Sequence, residues 1–211
     1  YTAPPAKAPA GRPVVIVIHE NRGLNEHTRD VARRLALAGF SAVAPDFLTP
    51  GPGTPSDENV AREMIGKLDL AQTTADGVAM IKWLSSPAGG SRKVGIVGFC
   101  WGGAMVNRLA VAAGPVLKAG VSYYGPAPAP AEAAKVQTPL LIHLAGKDQR
   151  VNATAEPWAA ALKAAGKDVT LVMHPGVDHA FNNDTSAERY NKAAADRAWS
   201  QTVAFFTKHL A

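Results

Sequence analysis

An apolar run ends in a glycine-framed cysteine: Val94-Gly95-Ile96-Val97-Gly98-Phe99-Cys100-Trp101-Gly102-Gly103. A β-prone stretch that passes through Gly-x-Cys-x-Gly into small, helix-compatible residues constrains this chain more than any other feature. It asks for a sharp strand-to-helix turn with a nucleophilic side chain at the apex, a nucleophile elbow with sulfur where serine oxygen is commoner. A side chain at Gly98 or Gly102 would strike the adjoining backbone. The turn lifts the thiol above the strand end and aims the first amides of the helix at it, where they favour negative charge. The competing reading is a buried structural cysteine beside a Gly-rich turn, since free cysteine is among the most buried residue types.

The rest of the chain supplies a frame for such an elbow. Strand-like apolar runs at Val14 to Ile18, Ser41 to Ala44, Lys93 to Val97, Ala119 to Tyr124, Leu140 to Leu144 and Val169 to His174 alternate with helix-like segments. The helices read as Glu26 to Ala38, Asp57 to Lys67, Asp69 to Leu84, Trp101 to Ala113, Ala153 to Ala165 and Ser186 to Leu210. That alternation predicts one α/β domain with a mostly parallel central sheet and helices on both faces, and the elbow at Cys100 makes the expected architecture a single-domain α/β-hydrolase fold. Val14 to Ile18 is apolar throughout, as expected of a strand covered on both faces. Glycines and prolines punctuate the pattern at Gly39, Gly114-Pro115 and Gly166, and fill the loop from Leu48 to Ser56.

The domain is expected over residues 14–211. Residues 1–13 are Ala/Pro-rich, with Pro4, Pro5, Pro9 and Pro13, and read as an extended N-terminal extension. With no initiator Met and no apolar signal core, the sequence reads as a processed or trimmed chain; an upstream export signal is compatible with it, so the compartment stays open. The 211 residues suffice for one sizeable core. One cysteine excludes an internal disulfide framework and a Cys-based zinc site. No apolar run reaches transmembrane length. The net charge of +5 is scattered, densest at Arg33-Arg34 and Arg92-Lys93, with no basic stripe interleaved with aromatics. Nucleic acid is therefore not an expected partner, nor is a membrane; a monomer acting on a small molecule is.

Three candidate reactive groups fall just after strands, in the order nucleophile, acid, histidine. Cys100 comes first. Asp148 follows Leu140 to Leu144 within Ala145-Gly146-Lys147-Asp148. His179 follows Val169 to His174 within Gly176-Val177-Asp178-His179-Ala180-Phe181. A triad is defined by roles and geometry, so sequence separation is no obstacle. His174 still lies in an apolar run, before Pro175, and His143 lies inside a strand; both read as structural. His27 and His209 lie on helices and read as solvated. Asp178 adjoins His179, but a sequence neighbour rarely points at the far ring nitrogen, so Asp148 is the better orienting acid. A free thiol with pKa near 8.5 is only about 3% thiolate at pH 7, and attack on an ester needs the thiolate. A nearby imidazolium and a helix N-terminus both raise that fraction. Two oxyanion donors are expected, the Trp101 amide and the Asn21 amide in the loop His19-Glu20-Asn21-Arg22-Gly23-Leu24. Phe99, Trp101, Tyr124, Phe181 and Arg22 are candidates to line the pocket.

These residues resemble the dienelactone hydrolase family (carboxymethylenebutenolidases) from about Val14 to Leu210. The matching runs are Ile18-His19-Glu20-Asn21-Arg22-Gly23-Leu24, Ala44-Pro45-Asp46, Gly98-Phe99-Cys100-Trp101-Gly102-Gly103, Tyr123-Tyr124-Gly125, Ala145-Gly146-Lys147-Asp148, His179-Ala180-Phe181 and the tail Ala198-Trp199 to Phe205-Phe206. The resemblance implies Cys100 as nucleophile, His179 as base and Asp148 as its partner. It implies Glu20 as a fourth active-site group, a carboxylate beside the thiol that controls when it ionises and that an anionic substrate would displace. The implied reaction is hydrolysis of an enol-lactone such as dienelactone to maleylacetate through a thioester, with no metal or organic cofactor.

One departure bears on the substrate. Well-known family members bind the substrate carboxylate with arginines, one about a turn after the catalytic histidine. Here that stretch is Phe181-Asn182-Asn183-Asp184. Arg22, Arg62 and Arg150 are the candidates to take that part. The departure favours a broader carboxylesterase on the same residues. A catalytically quiet, redox-sensing or binding scaffold with an oxidisable thiol is the third possibility, and an intact Asp148 and His179 argue against it.

Overall fold

The computed structural model describes residues 1–4, 11–90 and 92–211. Its strands are β1 (Thr2–Ala3), β2 (Val14–Ile18), β3 (Ser41–Val43), β4 (Val94–Phe99), β5 (Leu117–Tyr123), β6 (Leu140–Ala145) and β7 (Val169–His174). Its α-helices are α1 (Glu26–Leu37), α2 (Glu58–Gly66), α3 (Leu70–Ser85), α4 (Trp101–Ala112), α5 (Gln149–Ala164) and α6 (Lys192–Leu210). The strands form one sheet in the order β1-β3-β2-β4-β5-β6-β7. Every pairing is parallel except β1 with β3.

Alternation along the central strands sorts side chains to two cores, as a period of two requires. Val15, Val17, Val97, Phe99, Val121 and Tyr123 face one side, where α1 and α6 bring Val31, Leu35, Phe206 and Leu210. Val14, Ile16, Ile18, Val94 and Ile96 face the other, where α3, α4 and α5 bring Ile81, Leu109 and Trp158. Both faces of β2 and β4 are thus covered, which is why those strands read as unbroken apolar runs.

The chain leaves β2 toward β3 on one side and returns to β4 on the other. The strand order reverses there, and in open α/β sheets a crevice opens beyond the carboxyl ends of such a pair. The loop after β2 carries Glu20 and Asn21, and the turn after β4 carries Cys100.

Several boundaries depart from the sequence expectation. In the expected extension at residues 1–13, Thr2–Ala3 forms an edge strand on β3, and Ala44 N–H donates to the Tyr1 carbonyl at 2.8 Å. Pro5 and Pro9, expected in the same extension, lie outside the described residues. Helix α5 starts at Gln149 rather than Ala153, because the Asp148 carboxylate caps it by accepting the Val151 N–H at 3.2 Å. Helix α6 starts at Lys192 rather than Ser186, capped by Asn191, whose side chain accepts the Ala194 N–H at 3.0 Å. Residues 186–191 instead form turns that bring Ser186 and Arg189 to the cleft described below.

Two histidines expected in solvent are not there. His27 is 1% exposed, its ring edge-on to Phe99, because it shares the inner face of α1 with Val31 and Leu35. His209 packs its ring 4.5 Å from that of Phe205. His143 and His174 are buried as expected, joined through Nδ1 and Nε2 at 3.1 Å.

Candidate active site

Cys100 stands at the turn between β4 and α4 with φ 54° and ψ −111°, a backbone conformation rare outside glycine. Its N–H donates to the Tyr123 carbonyl at 3.0 Å, fastening the turn to the neighbouring strand. The glycines around it are required by close backbone approach. A Cβ at Gly98 would lie 2.1 Å from the Gly102 carbonyl oxygen, and one at Gly102 would lie 2.3 Å from that of Ile18. The same crowding recurs one layer out, where a Cβ at Gly125 would sit 2.2 Å from the Gly103 carbonyl carbon. Small residues thus let β2, β4, β5 and α4 converge beneath a single side chain.

The thiol is half-buried, and its pKa is pushed up to about 11. Burial is the main cause, followed by the Glu20 carboxylate; the Trp101 N–H and the Arg150 guanidinium pull the other way, and Asp148 adds to the rise. At rest, near neutral pH, the sulfur is therefore protonated.

Asp148 and His179 meet through Oδ2 and Nδ1. The Asp148 side chain is buried while His179 keeps part of its ring exposed. Asp178, the neighbour of His179, points away to pair with Lys147 at 3.5 Å. Tyr124 lies under the His179 ring at 4.9 Å between centroids. The His179 loop turns at Ala180, with φ 67°, and drives Phe181 into the core against Tyr124 and His174.

Glu20 is buried, with both carboxylate oxygens engaged. Oε1 accepts the Tyr124 hydroxyl at 3.3 Å, and Oε2 accepts the Asn183 carboxamide at 3.0 Å. Burial and then the Glu20 charge hold the Tyr124 phenol well above its ordinary pKa, so it remains a donor. Asn183 is fixed in turn, its Oδ1 accepting the Thr185 N–H at 3.0 Å and the Thr185 hydroxyl at 2.7 Å.

The loop bearing Glu20 and Asn21 is braced by groups with no reactive role. His19 Nδ1 meets the Glu20 carbonyl at 2.7 Å, and its Nε2 accepts the Phe47 N–H at 3.2 Å. An acceptor at Nε2 places the proton on Nδ1 and makes the ring neutral, consistent with a pKa lowered chiefly by burial. The Thr54 hydroxyl accepts the Leu24 N–H at 2.9 Å and donates to Asp46 at 2.9 Å. Burial pushes the Asp46 carboxyl up, but the Leu48 and Thr54 donors outweigh it and hold it below the ordinary range. Among the described residues no backbone carbonyl accepts the Asn21 or Trp101 N–H, and the Trp101 N–H faces the Cys100 sulfur.

Cys100, His179 and Glu20 line one cleft of about 400 Å³. Arg22, Arg62, Arg150 and Arg189 line it too. Arg22 is paired with Glu58 at 3.1 Å, whereas the other three form no ion pair among the described residues. Arg189 and Asn183 have no counterpart in the sequence reading: turns bring them in, and no motif marks them. Phe99 and Phe181, candidates for pocket walls, are instead sealed in the core, 1% and 0% exposed. Strand alternation turns Phe99 toward α1, and the Ala180 turn directs Phe181 inward. Tyr124 is buried as well and reaches the site only through its hydroxyl and ring edge. Among the described residues no group of three His, Cys, Asp or Glu side chains is placed to hold a metal ion, and no helix is long and apolar enough to cross a membrane.

Comparison with known proteins agrees with this architecture. The chain is 32% identical over 224 residues to the "Putative carboxymethylenebutenolidase" of Escherichia coli strain K12, covering 99% of this chain and 82% of that protein. A crystal structure from Klebsiella pneumoniae, described as a "Putative Dienelactone Hydrolase", superposes with a TM-score of 0.87 at 32% identity, covering 99% of this chain and 92% of that one. The dienelactone hydrolase of Anabaena variabilis, at 23% identity and a TM-score of 0.76 over all of this chain and 91% of that one, shares the fold. The profile of the dienelactone hydrolase family matches residues 1–210, and this chain belongs to that family of hydrolases acting on ester bonds.

Proposed function

We propose that this protein hydrolyses a small lactone or ester, of the dienelactone type, through a thioester formed on Cys100. The observation that carries the reading is the Asp148–His179 contact beside a cleft that the thiol also lines. With Nδ1–H donated to Asp148, His179 offers Nε2 as the acceptor. Asp148 holds that tautomer and favours the imidazolium.

The steps follow from the groups present. The thiol loses its proton, the thiolate attacks the carbonyl carbon, and the oxyanion collects at the Asn21 and Trp101 amides. The C–O bond then breaks, and His179 returns a proton to the leaving oxygen. Water attacks the thioester with His179 as base, and the acid leaves as sulfur is released. Glu20 sets the timing. Its charge opposes a resting thiolate, and an anionic group drawn to Arg150, Arg62 and Arg189 displaces Glu20 from Asn183 and Tyr124 toward the sulfur, where it takes the thiol proton and passes it to His179 Nε2, the proton that His179 returns to the leaving oxygen.

The test compares dienelactone and 4-nitrophenyl acetate on the parent protein and on Cys100→Ala. Loss of both activities in the variant, with dienelactone the better parent substrate, supports the reading. Full activity in Cys100→Ala refutes it, and a preference for the neutral aryl ester turns it toward the broader carboxylesterase. The timing role has its own test in thiol alkylation against pH. Glu20→Gln is expected to lower the apparent thiol pKa from about 11; a profile identical to the parent's contradicts that role.

A further inference from the structure

A second lobe opens from Cys100 on the side away from His179. It measures about 420 Å³ and is walled by Ile65, Trp101, Ala104 and Pro126, with Gly66 at its edge. It shares Cys100, Asn21, Arg62 and Arg150 with the arginine-lined cleft, so the two lobes meet at the sulfur and at one oxyanion donor. His179 lines only the arginine side.

We infer that the second lobe is an acyl pocket, and that the natural substrate is an ester whose acid portion is apolar and larger than acetyl. The inference rests on the hydrolytic reading of Cys100 and His179 and adds the substrate's orientation. The leaving oxygen must receive its proton from His179, so the alcohol portion lies on the His179 side. The acyl portion remains bonded to sulfur and extends the other way, into the lobe without His179. Water then enters through the space the alcohol has vacated, where His179 Nε2 is within reach of it.

The walls suit an apolar acyl group. The Trp101 indole is fixed by stacking on His19 at 5.4 Å and 12°, and by the edge of Phe47 at 5.6 Å. Ile65 is buried and anchors that side of α2. The space exists because Ala104 and Gly66 are small. A Cβ at Gly66 would meet nothing within 4 Å, and Gly66 has no positive φ, so a side chain there is sterically free. Each methylene moved from water into such a lobe raises kcat/KM by about threefold to fourfold.

The experiment measures kcat/KM for the 4-nitrophenyl esters of acetic, butyric and hexanoic acids, and for 4-nitrophenyl hydrogen succinate, which carries charge on the acyl end. Parent, Gly66→Phe, Ala104→Leu and Cys100→Ala are compared. The parent is expected to prefer butyrate to acetate by about tenfold. Gly66→Phe is expected to erase the chain-length preference by lowering kcat/KM for butyrate and hexanoate toward the acetate value, with Tm no lower. A parent rate flat or falling from acetate to hexanoate, a preference for the succinate ester, or an equal loss on all esters in Gly66→Phe would overturn the inference. The outcomes separate from those of the hydrolytic reading: if Cys100→Ala hydrolyses all four esters at the parent rate, that reading falls; if hydrolysis needs Cys100 but ignores acyl length, only the acyl pocket falls.

Discussion

The Asn183 carboxamide donates to Glu20 Oε2 at 3.0 Å, linking the loop that carries His179 to the loop that carries Asn21. Two neutral donors, Asn183 and Tyr124, thus hold a buried carboxylate near the thiol. Neutral donors fix its direction without cancelling its charge, and that charge is the second cause of the high thiol pKa.

Asn183→Asp tests this arrangement with little disturbance elsewhere. An aspartate keeps the Oδ1 acceptor for Thr185 but turns a second carboxylate toward Glu20. Thiol alkylation at pH 8 is expected to slow several-fold relative to the parent, with the pH profile moved to higher pH. Asn183→Ala instead leaves a buried carboxylate oxygen without a donor and is expected to cost about 1–3 kcal/mol of stability, read from urea denaturation.

Asp148 has two structural duties that one pair of substitutions separates. Its Oδ1 caps α5 at the Val151 N–H, and its Oδ2 meets His179. Asp148→Asn keeps a good cap and removes the charge, so Tm is expected to hold while kcat falls about 10²- to 10⁴-fold. Asp148→Ala is expected to lose the same activity and about 1 kcal/mol of stability as well.

Most of the elbow was legible because its residues answer to local rules. Gly98 and Gly102 are small because backbone carbonyls lie about 2 Å from where a Cβ would stand, and the flanking strand is apolar because both its faces are covered. The site's remaining parts have no local signature. Asn183 and Arg189 reach the cleft through turns whose course depends on α6 starting only at Lys192. Helix α5 begins early because Asp148 caps it, a tertiary contact with His179 holding the capping side chain in place. His27 was readable in principle, since it shares the inner face of α1 with Val31 and Leu35; polarity alone pointed it outward.

The glycine crowding makes a graded prediction. Gly98→Ala and Gly102→Ala each force a Cβ onto backbone and are expected to destabilise by about 3 kcal/mol or more. Gly66→Ala, with open space around the new Cβ, is expected to leave stability unchanged or raise it by up to about 1 kcal/mol. Denaturant midpoints of the three variants check the order.

Acid sensitivity follows from the buried histidines. His143 is held neutral with its pKa lowered to about 3, by burial first and then by His174. An unfolded chain protonates this ring near pH 6.5, so the stability tied to the neutral ring is present above that value and is lost as pH falls toward 3. The loss amounts to about 1.4 kcal/mol per pH unit for one such ring. Tm is expected to drop steadily from pH 6.5 to pH 4, and His143→Leu is expected to flatten the slope.

The central claim is a covalent bond between substrate acyl group and Cys100 sulfur. The most direct measurement mixes the protein with a 4-nitrophenyl ester, quenches in acid within the first turnover, and maps the acyl mass to a peptide. The account predicts the added acyl mass on the peptide containing Cys100, labile to hydroxylamine, accumulating in His179→Asn and absent from Cys100→Ala. An acyl adduct on another residue, or Cys100→Ala hydrolysing the ester at the parent rate, would contradict it.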